Sequence, residues 1–173
     1  ESFQTDEAVT ITQVFGQAGY ATVMASESGH VFTSGYPKAS YEAVKFSDVQ
    51  LSDYAAVILL SDKRKWQYYK NEPICPECIQ IVREAFDSGK VVAAQRWGVV
   101  VLAQAGVLIG RSYAFPNTPL ETDARFAGAT RKEDSTLVRD GNLVTCSHCP
   151  YADPGVELAR ATLAELSEQI AER

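Results

Sequence analysis

Four cysteines in two closely spaced pairs are the residues whose types and spacing point most directly to chemistry. They are Cys75 and Cys78, in Cys-Pro-Glu-Cys, and Cys146 and Cys149, in Cys-Ser-His-Cys. A two-residue spacer lets both thiolates of a pair turn toward one ion, and two such pairs supply four ligands for a tetrahedral site. The spacing therefore predicts a shared metal site, with zinc as the first choice of ion and iron in a rubredoxin-like centre as the second.

The cysteine pairs have two other interpretations. Cys75 precedes Pro76 at a predicted helix start, where the helix dipole would acidify a thiol, so Cys75 and Cys78 are alternatively a redox pair. Ordinary cysteines, or disulfides in a secreted protein, are the third interpretation. His148 is a ligand that replaces one cysteine, a hydrogen-bond donor to a ligand, or an exposed side chain. A structural metal site would contribute on the order of 10 kcal/mol to the folded state.

The stretch Lys90–Gly106 has the pattern of an active-site scaffold. Its apolar run Val91–Ala94 predicts a strand buried on both faces, and after a polar break Val99–Ala103 predicts a helix that ends at Gly106. Strand, sharp turn and helix form the arrangement that raises a nucleophile above a sheet in α/β hydrolases. Since the raised position holds no Ser, Cys or Thr, the scaffold lacks its usual nucleophile.

Strands and helices alternate along the rest of the chain. This alternation predicts an α/β fold with a doubly wound, mostly parallel sheet, in which ligands meet the chain at the carboxyl ends of the strands. The predicted elements are a helix containing Val9–Ala18, strands at Tyr20–Ala25 and Ala55–Leu60, helices at Pro73–Ser88 and Pro154–Ile170, and a hairpin of Thr136–Val138 with Leu143–Thr145. Ser61–Glu72 is expected to be a charged, aromatic loop.

Length, composition and charge fit one ordinary domain, residues 1–173. The chain has 46% hydrophobic and 22% charged residues, a globular composition. A net charge of −6 gives no basic surface, so nucleic acid is not an expected partner. No apolar stretch approaches the ~20 residues that span a bilayer, so no membrane partner is expected. The sequence does not identify the compartment, and a cytoplasmic location is the favoured expectation.

Several stretches carry a family resemblance. They are Phe3–Glu7, Ala93–Gly98 (AAQRWG), Leu102–Arg111 and the hairpin Asp140–Thr145 (DGNLVT). On these residues the chain is similar, over nearly its whole length, to the PfpI/DJ-one family of the class I glutamine amidotransferase-like superfamily. The resemblance implies a flavodoxin-like three-layer α/β sandwich with a mostly parallel sheet, and a homo-oligomer, since family members commonly form dimers or larger rings.

The resemblance also indicates where the family's chemistry would lie. That chemistry needs a low-pKa cysteine at the strand–helix turn, a nearby glutamate, often a histidine, and backbone donors from a Gly-Gly loop. Glu7 matches the acidic position, but Arg96 stands at the cysteine position, Phe115 at the histidine position and Asp62-Lys63 at the glycine pair. An arginine supplies neither a thiolate nor a general base. We therefore expect a degenerate pocket with no confident catalytic residue.

Two expectations concern this pocket. A buried guanidinium is costly unless a carboxylate pairs with it, so Arg96 and Glu7 are expected to face each other as an ion pair that fills the pocket. The alternative is an anion site in which Arg96 binds a carboxylate or phosphate, and the small-molecule ligand is not identified by the sequence.

The leading functional hypothesis is a non-catalytic or repurposed family member with a four-cysteine metal site and a structural or binding role. One competing hypothesis is a hydrolase or glyoxalase-type enzyme that uses Glu7 and a cysteine outside the strand–helix turn. The other is a thiol–disulfide protein that uses Cys75 and Cys78. Because the family has a strand of about ten residues before the position of Glu7, we also expect the native protein to have a strand that these residues lack, or another segment in its place.

Overall fold

A four-stranded sheet forms the centre of the protein in the computed structural model, which describes residues 2–3, 5–33, 40–60, 74–116, 124–147 and 155–172. In chain order the strands are β1 (Ser2–Phe3), β2 (Ala25–Ser26), β3 (His30–Thr33), β4 (Ser40–Glu42), β5 (Val44–Lys45), β6 (Ala56–Leu59), β7 (Val91–Gln95), β8 (Ser112–Tyr113), β9 (Thr130–Arg131), β10 (Leu137–Asp140) and β11 (Leu143–Cys146). The helices among these residues are α1 (Thr5–Gln17), α2 (Pro76–Asp87), α3 (Gly98–Ala105) and α4 (Val156–Ala171).

The order of the central strands is β10-β11-β7-β6. Strands β6 and β11 both run parallel to β7, and β10 pairs antiparallel with β11 through the predicted hairpin. Cys146 lies opposite Gln95, and Leu59 lies opposite Ala94. The carboxyl ends of three parallel strands therefore meet at one edge, which confirms the mostly parallel α/β sheet.

Helices cover both faces of this sheet because the side chains of β7 alternate between them. Val92 and Ala94 belong to a core with α2 and α3, whereas Val91 and Ala93 belong to a second core with α1 and α4. All five residues of β7 are buried. The result is the expected three-layer sandwich, with β7 in its central layer.

The two helices nearest the sheet edge have clear local causes. Helix α2 begins with Pro76, whose fixed φ suits the first helical position, and buries Val82 and Ala85. Helix α3 is apolar almost throughout and ends at Gly106, whose φ of 78° is the left-handed conformation that glycine adopts readily. These starts and stops position the residues that follow β6 and β7.

The hairpin of β10 and β11 is held to the rest of the fold through Asp140. Its carboxylate accepts a 2.7 Å hydrogen bond from the Ser112 backbone N–H and a 3.1 Å bond from Arg111. The Ser112 N–H above all, with Arg111, lowers the pKa of Asp140 against the opposing effect of burial. The carboxylate is therefore stabilised in its charged form in the folded protein.

One predicted strand is largely wrong. Tyr20–Ala25 was expected to be a strand, but only Ala25–Ser26 forms one, in parallel with β5. A strand forms only where a neighbouring backbone pairs with it. Among the described residues, this segment has such a partner only at Met24, whose carbonyl accepts from the Val44 N–H, and at β2, which pairs with Val44–Lys45. The predicted loop Ser61–Glu72 lies outside the described residues. No helix in the described part of the chain is long and apolar enough to cross a membrane.

Candidate functional site at the carboxyl edge of the sheet

The sharp turn between β7 and α3 has the geometry of a nucleophile elbow. Arg96 has a φ of 50° and is the only non-glycine residue with positive φ among those described. Its N–H donates to the Cys146 carbonyl at 2.8 Å, and its own carbonyl accepts from the Val99 N–H at 3.2 Å. These bonds hold the turn between β11 and the first turn of α3.

Close packing below the elbow explains the glycine that follows it. A Cβ atom on Gly98 would lie 2.9 Å from the Leu59 carbonyl oxygen and 3.2 Å from the Leu59 Cβ. Backbone approach this close excludes any side chain at position 98 without displacement of β6. The strand–turn–helix predicted from the sequence is therefore confirmed, and Arg96 occupies the raised position.

An arginine in this conformation is chemically and sterically unusual. The left-handed conformation costs an L-residue about 1–2 kcal/mol. A guanidinium has five donors, no acceptor, and stays protonated at physiological pH, so Arg96 offers charge and hydrogen bonds but no nucleophile. The Arg96 residue is half-buried, and its backbone lies at the carboxyl edge of the sheet, where its N–H binds the end of β11.

Phe115 belongs to an aromatic cluster beside the elbow. It is 3% exposed, its ring lies 5.9 Å edge-on from that of Trp97, and Phe126 lies 5.2 Å away on another side. The Ala114 N–H donates to Thr145 Oγ1 at 2.8 Å, which fixes the backbone before Phe115. The position at which the family resemblance places an imidazole is thus filled by a packed apolar ring.

Glu7 is fully buried in the first turn of α1, where its charge is favourable to the helix dipole. Its backbone carbonyl lies near Gly155: a Cβ there would be 3.3 Å from the Glu7 oxygen and 2.9 Å from an Ile11 side-chain carbon. A buried carboxylate is costly unless it is paired or hydrogen-bonded. None of the ion pairs between described residues joins Glu7 to Arg96, so the expected ion pair is not formed in this structure.

The three cysteines in the described part of the chain are thiols that lie in two places. Cys75 is the residue before α2, and Cys78 packs against the core beneath α2 and α3. Cys146 ends β11 and is 0% exposed within the other core, beneath α1 and α4, with its sulfur 4.0 Å from Glu157 Oε2. Thus Cys78 and Cys146 contact opposite faces of the sheet.

No group of three or more candidate metal ligands occurs among the described residues. Cys149 and His148 lie outside them, as does Asp62-Lys63. The described residues therefore place half of the predicted ligand set, Cys75 and Cys78, near one another in sequence and structure. The shared four-cysteine site stays a prediction.

Glu77 forms a hydrogen bond with the first cysteine pair, a contact that the sequence analysis did not predict. The Cys75 thiol donates to Glu77 Oε2 at 3.0 Å. Burial, followed by this hydrogen bond, raises the pKa of the Cys75 thiol, while the backbone N–H groups of Cys78 and Glu77 act in the opposite direction. The same hydrogen bond lowers the pKa of Glu77. The acidified thiol expected at this helix start is therefore not what the structure gives. The glutamate inside Cys-Pro-Glu-Cys was the available signal.

A cavity of about 760 Å³ lies beside β6, away from the aromatic cluster. Apolar residues of α1, the segment after it and β6 form most of its wall, and Cys75 and Cys78 lie at its α2 side. Arg96, Trp97 and Phe115 are not among its lining residues. The cavity is therefore separate from the elbow.

A comparison with protein-family models identifies the family. The model of the DJ-1/PfpI family matches residues 1–164. An uncharacterised protein of Methanocaldococcus jannaschii is 33% identical over 116 residues, which are 66% of this chain and 55% of that protein. The match thus spans about half the length of this curated relative.

Solved structures show the same fold. A ThiJ/PfpI domain protein from Brachyspira murdochii superimposes with a TM-score of 0.78 at 22% identity, over 96% of this chain and 91% of that one. A DJ-1 superfamily protein from Agrobacterium tumefaciens gives a TM-score of 0.76 at 20% identity, over 99% and 92% of the two chains. At these identities the likeness establishes the three-layer fold.

Proposed function

Because the chain belongs to the DJ-1/PfpI family, we propose that it is a non-catalytic or repurposed member with a structural or binding role. The observation that carries this proposal is Arg96 at the raised position of the elbow, with a φ of 50°. Nucleophilic catalysis at an elbow needs an activated thiol or hydroxyl at that position. A guanidinium there binds anions or pairs with a carboxylate, and forms no covalent intermediate.

The aromatic cluster supports the same proposal. Phe115 and Trp97 occupy the side of the elbow from which an imidazole would act as a base. Neither ring accepts a proton in a catalytic step. Restoring hydrolytic chemistry would therefore need changes at two positions at least, whereas binding an anion would need only Arg96.

Substrate turnover and substitutions at Arg96 test the non-catalytic role. We expect the wild-type protein to turn over neither peptide nor α-oxoaldehyde substrates. The Arg96→Cys variant carries one additional thiol beside the N-terminus of α3, and we expect it to be the fastest alkylated by iodoacetamide. Arg96→Ser is the matched control without that thiol. Wild-type turnover that persists after purification to homogeneity would refute the non-catalytic role.

The proposal includes a structural zinc ion bound by Cys75, Cys78, Cys146 and Cys149, with iron as the second candidate. Its support is the repeated two-residue spacing and the half-exposed position of Cys75 and Cys78 at the start of α2. For all four sulfurs to share one ion, the Cys146 sulfur must leave the core beneath α1 and α4, because Cys78 contacts the other face.

Elemental analysis of freshly purified, reduced protein tests the metal site. We expect one zinc per chain, lost in Cys78→Ser and in Cys146→Ser and kept in the control variant His30→Gln. A red chromophore in the visible spectrum would indicate ferric iron instead. No metal, or metal that Cys146→Ser retains in full, would reject a shared four-cysteine site.

An enzyme that uses Glu7 and Cys146 is the second candidate function. One observation favours it: the Cys146 carbonyl binds the elbow N–H, so this cysteine adjoins the active-site position of the fold. Its complete burial opposes rapid reaction with a substrate. A single hyper-reactive thiol assigned to Cys146 by iodoacetamide labelling would favour the enzyme, whereas four protected thiols would favour the metal site.

We further propose that the protein forms a homo-oligomer, and sedimentation velocity tests this proposal.

A further inference from the structure

Strand β6 lies at an open edge of the central sheet. In the order β10-β11-β7-β6 its partner among the described residues is β7, so its other edge presents a row of backbone N–H and C=O groups. All four residues of β6 are apolar and partly exposed, whereas every residue of β7 and β11 is buried. Proteins usually protect a sheet edge with a charge, a proline or a bulge. The sequence of β6 has neither a charged residue nor a proline, so its open edge is suited to pairing with another strand.

The segment Ala21–Met24 lies on another wall of the cavity beside β6. Among the described residues, its one backbone–backbone hydrogen bond is at Met24, whose carbonyl accepts from the Val44 N–H at 2.9 Å. Val23 lines the cavity and is 52% exposed although it is apolar. Two stretches of backbone with hydrogen-bonding groups to offer therefore line the same cavity.

The two walls run in the same direction. Helix α4 ends at the amino ends of the strands, because Gln169 donates to the carbonyl of Gly89, just before β7, at 3.2 Å. It therefore begins at the carboxyl edge, and α1 begins there too, since the Glu7 carbonyl lies close to Gly155, the residue before α4. The 13 residues of α1 span ~20 Å. The segment after α1 thus starts near the amino edge and returns along the cavity in the direction of β6.

The cavity has the size of one strand and carries acidic charges. A strand of five residues is roughly 17 Å long, ~4.8 Å wide between its neighbours and about 10 Å thick between layers, or roughly 800 Å³. The volume of the cavity is about 760 Å³. The charged residues in its wall are Glu27 and Asp53. Asp53 precedes β6 and Glu27 follows β2, so one carboxylate lies toward each end, and basic residues at both ends of an apolar strand complement them.

We propose that the cavity is a docking site for an apolar strand of a partner polypeptide, flanked by basic residues and inserted between β6 and Ala21–Met24, parallel to both. Backbone hydrogen bonds to the two walls hold the strand, as in other cases of strand addition to a sheet edge. Its alternate side chains extend the two cores. Val57 and Leu59 pack against the core with α2 and α3, and Ala56 and Ile58 against the core with α1 and α4. The site is separate from the elbow, so it does not depend on the chemistry at Arg96.

The probe is the synthetic peptide Lys-Val-Ile-Val-Leu-Val-Lys with a fluorescent label at its C-terminus. The full chain is titrated into it while fluorescence anisotropy is recorded, and we expect saturable binding at one site per chain. The control peptide Lys-Val-Ile-Pro-Leu-Val-Lys does not form a regular central strand and should bind about tenfold or more weakly. The peptide Glu-Val-Ile-Val-Leu-Val-Glu should also bind more weakly, because Glu27 and Asp53 repel its ends.

Two lysine substitutions distinguish the cavity from other apolar surface. Val23→Lys places a positive charge in the wall, so it should weaken binding of the basic peptide about tenfold or more. The matched control is Val9→Lys, on α1, where Val9 is 48% exposed and lies outside the cavity wall, and its affinity should equal that of wild type. Hydrogen exchange measured by NMR should show that the bound peptide slows exchange at amides of Ala56–Leu59 and Ala21–Met24.

Three results would overturn the proposal. The first is equal affinity for the valine and proline peptides, since this would show general apolar binding and no strand addition. The second is the absence of binding, or binding that leaves hydrogen exchange in Ala56–Leu59 unchanged. The third is slow exchange of these amides without peptide, in a dimer that Val23→Lys dissociates and Val9→Lys does not, because a second copy of this chain would then occupy the cavity.

Discussion

Replacing Arg96 by glycine and by alanine separates the two effects that act at the elbow. Both variants remove the guanidinium, but only glycine relieves the positive φ of 50°. Relief of the left-handed conformation is worth about 1–2 kcal/mol, and the greater freedom of glycine in the unfolded chain removes about 0.4–1 kcal/mol of that gain. We expect Arg96→Gly to be more stable than Arg96→Ala by roughly 1 kcal/mol.

The comparison with wild type then measures the side chain. Arg96 is half-buried and forms no ion pair with Glu7 in this structure, so removing its guanidinium breaks no buried pair. We expect Arg96→Ala to unfold with a free energy within about 0.5 kcal/mol of wild type. We expect Arg96→Gly to be more stable than wild type by roughly 1 kcal/mol, because it relieves the left-handed conformation.

Urea unfolding followed by tryptophan fluorescence gives these free energies, provided that the denaturant slope is the same for all variants. A double-mutant cycle with Glu7→Gln completes the measurement, and we expect the two substitutions to add, with a coupling free energy within about 0.5 kcal/mol of zero. A glycine variant no more stable than the alanine variant would refute the strained elbow. A coupling free energy of about 2 kcal/mol would contradict the unpaired arrangement of Arg96 and Glu7, and would leave the strained elbow untouched.

Three further predictions concern other parts of the fold. Gly98→Ala should lower the free energy of unfolding by about 1–3 kcal/mol through overpacking against β6. The control Gly16→Ala lies in open space on α1 and should raise it by about 0.5–1 kcal/mol. Equal urea midpoints for the two variants would refute the close approach below the elbow. The folded-state pKa of Asp140 is lowered, so its charge stabilises the fold at neutral pH and this stability is lost as the pH falls through that pKa. Asp140→Asn should therefore be less stable than wild type at pH 7 and equal to it in strong acid. A difference in stability that stays constant across pH would contradict this. Glu77→Gln removes one cause of the raised pKa of Cys75, so iodoacetamide should alkylate this thiol faster at neutral pH in metal-free protein, and an unchanged rate would exclude the hydrogen bond.

The sequence predicted elements whose causes are local. The hairpin around Asp140-Gly141, the helix ended by Gly106 and the buried strand at β7 each depend on residues within a few positions of one another, and all three are confirmed. The family resemblance extended these pieces to the whole fold, and the match over residues 1–164 confirms it.

The strand predicted at Tyr20–Ala25 shows where local patterns fail. An apolar run specifies that a segment is suited to a sheet, but a strand forms only where a partner backbone lies alongside it. Among the described residues that partner is β5, and it meets only Ala25–Ser26. The sequence contains the propensity of the segment and not the position of its neighbour.

The cysteines show a second limit. The topology of a parallel sheet determines which residues lie at the same edge. The sequence predicted Cys146 at the correct edge, where it lies opposite Gln95. Which face a side chain contacts depends on the parity of its position along the strand, so a shift of one residue reverses it. Likewise the helix dipole predicted an acidic Cys75, but desolvation and one carboxylate outweigh it. Both outcomes depend on distances of a few ångströms that spacing alone does not contain.

The elbow has a strained geometry although its raised residue is an arginine and not a nucleophile, and packing explains why. The turn is fixed from three sides: the Arg96 N–H is bound to β11, its carbonyl is bound to α3, and Gly98 lies against the Leu59 carbonyl of β6. Relaxing φ at Arg96 would move α3, whose apolar residues fill the core on that face. The cost of about 1–2 kcal/mol in left-handed strain is smaller than that of repacking such a helix, where each large buried side chain contributes about 1.5–3 kcal/mol. A nucleophile is therefore not required to maintain an elbow, and the residue found there has to be interpreted by its own chemistry.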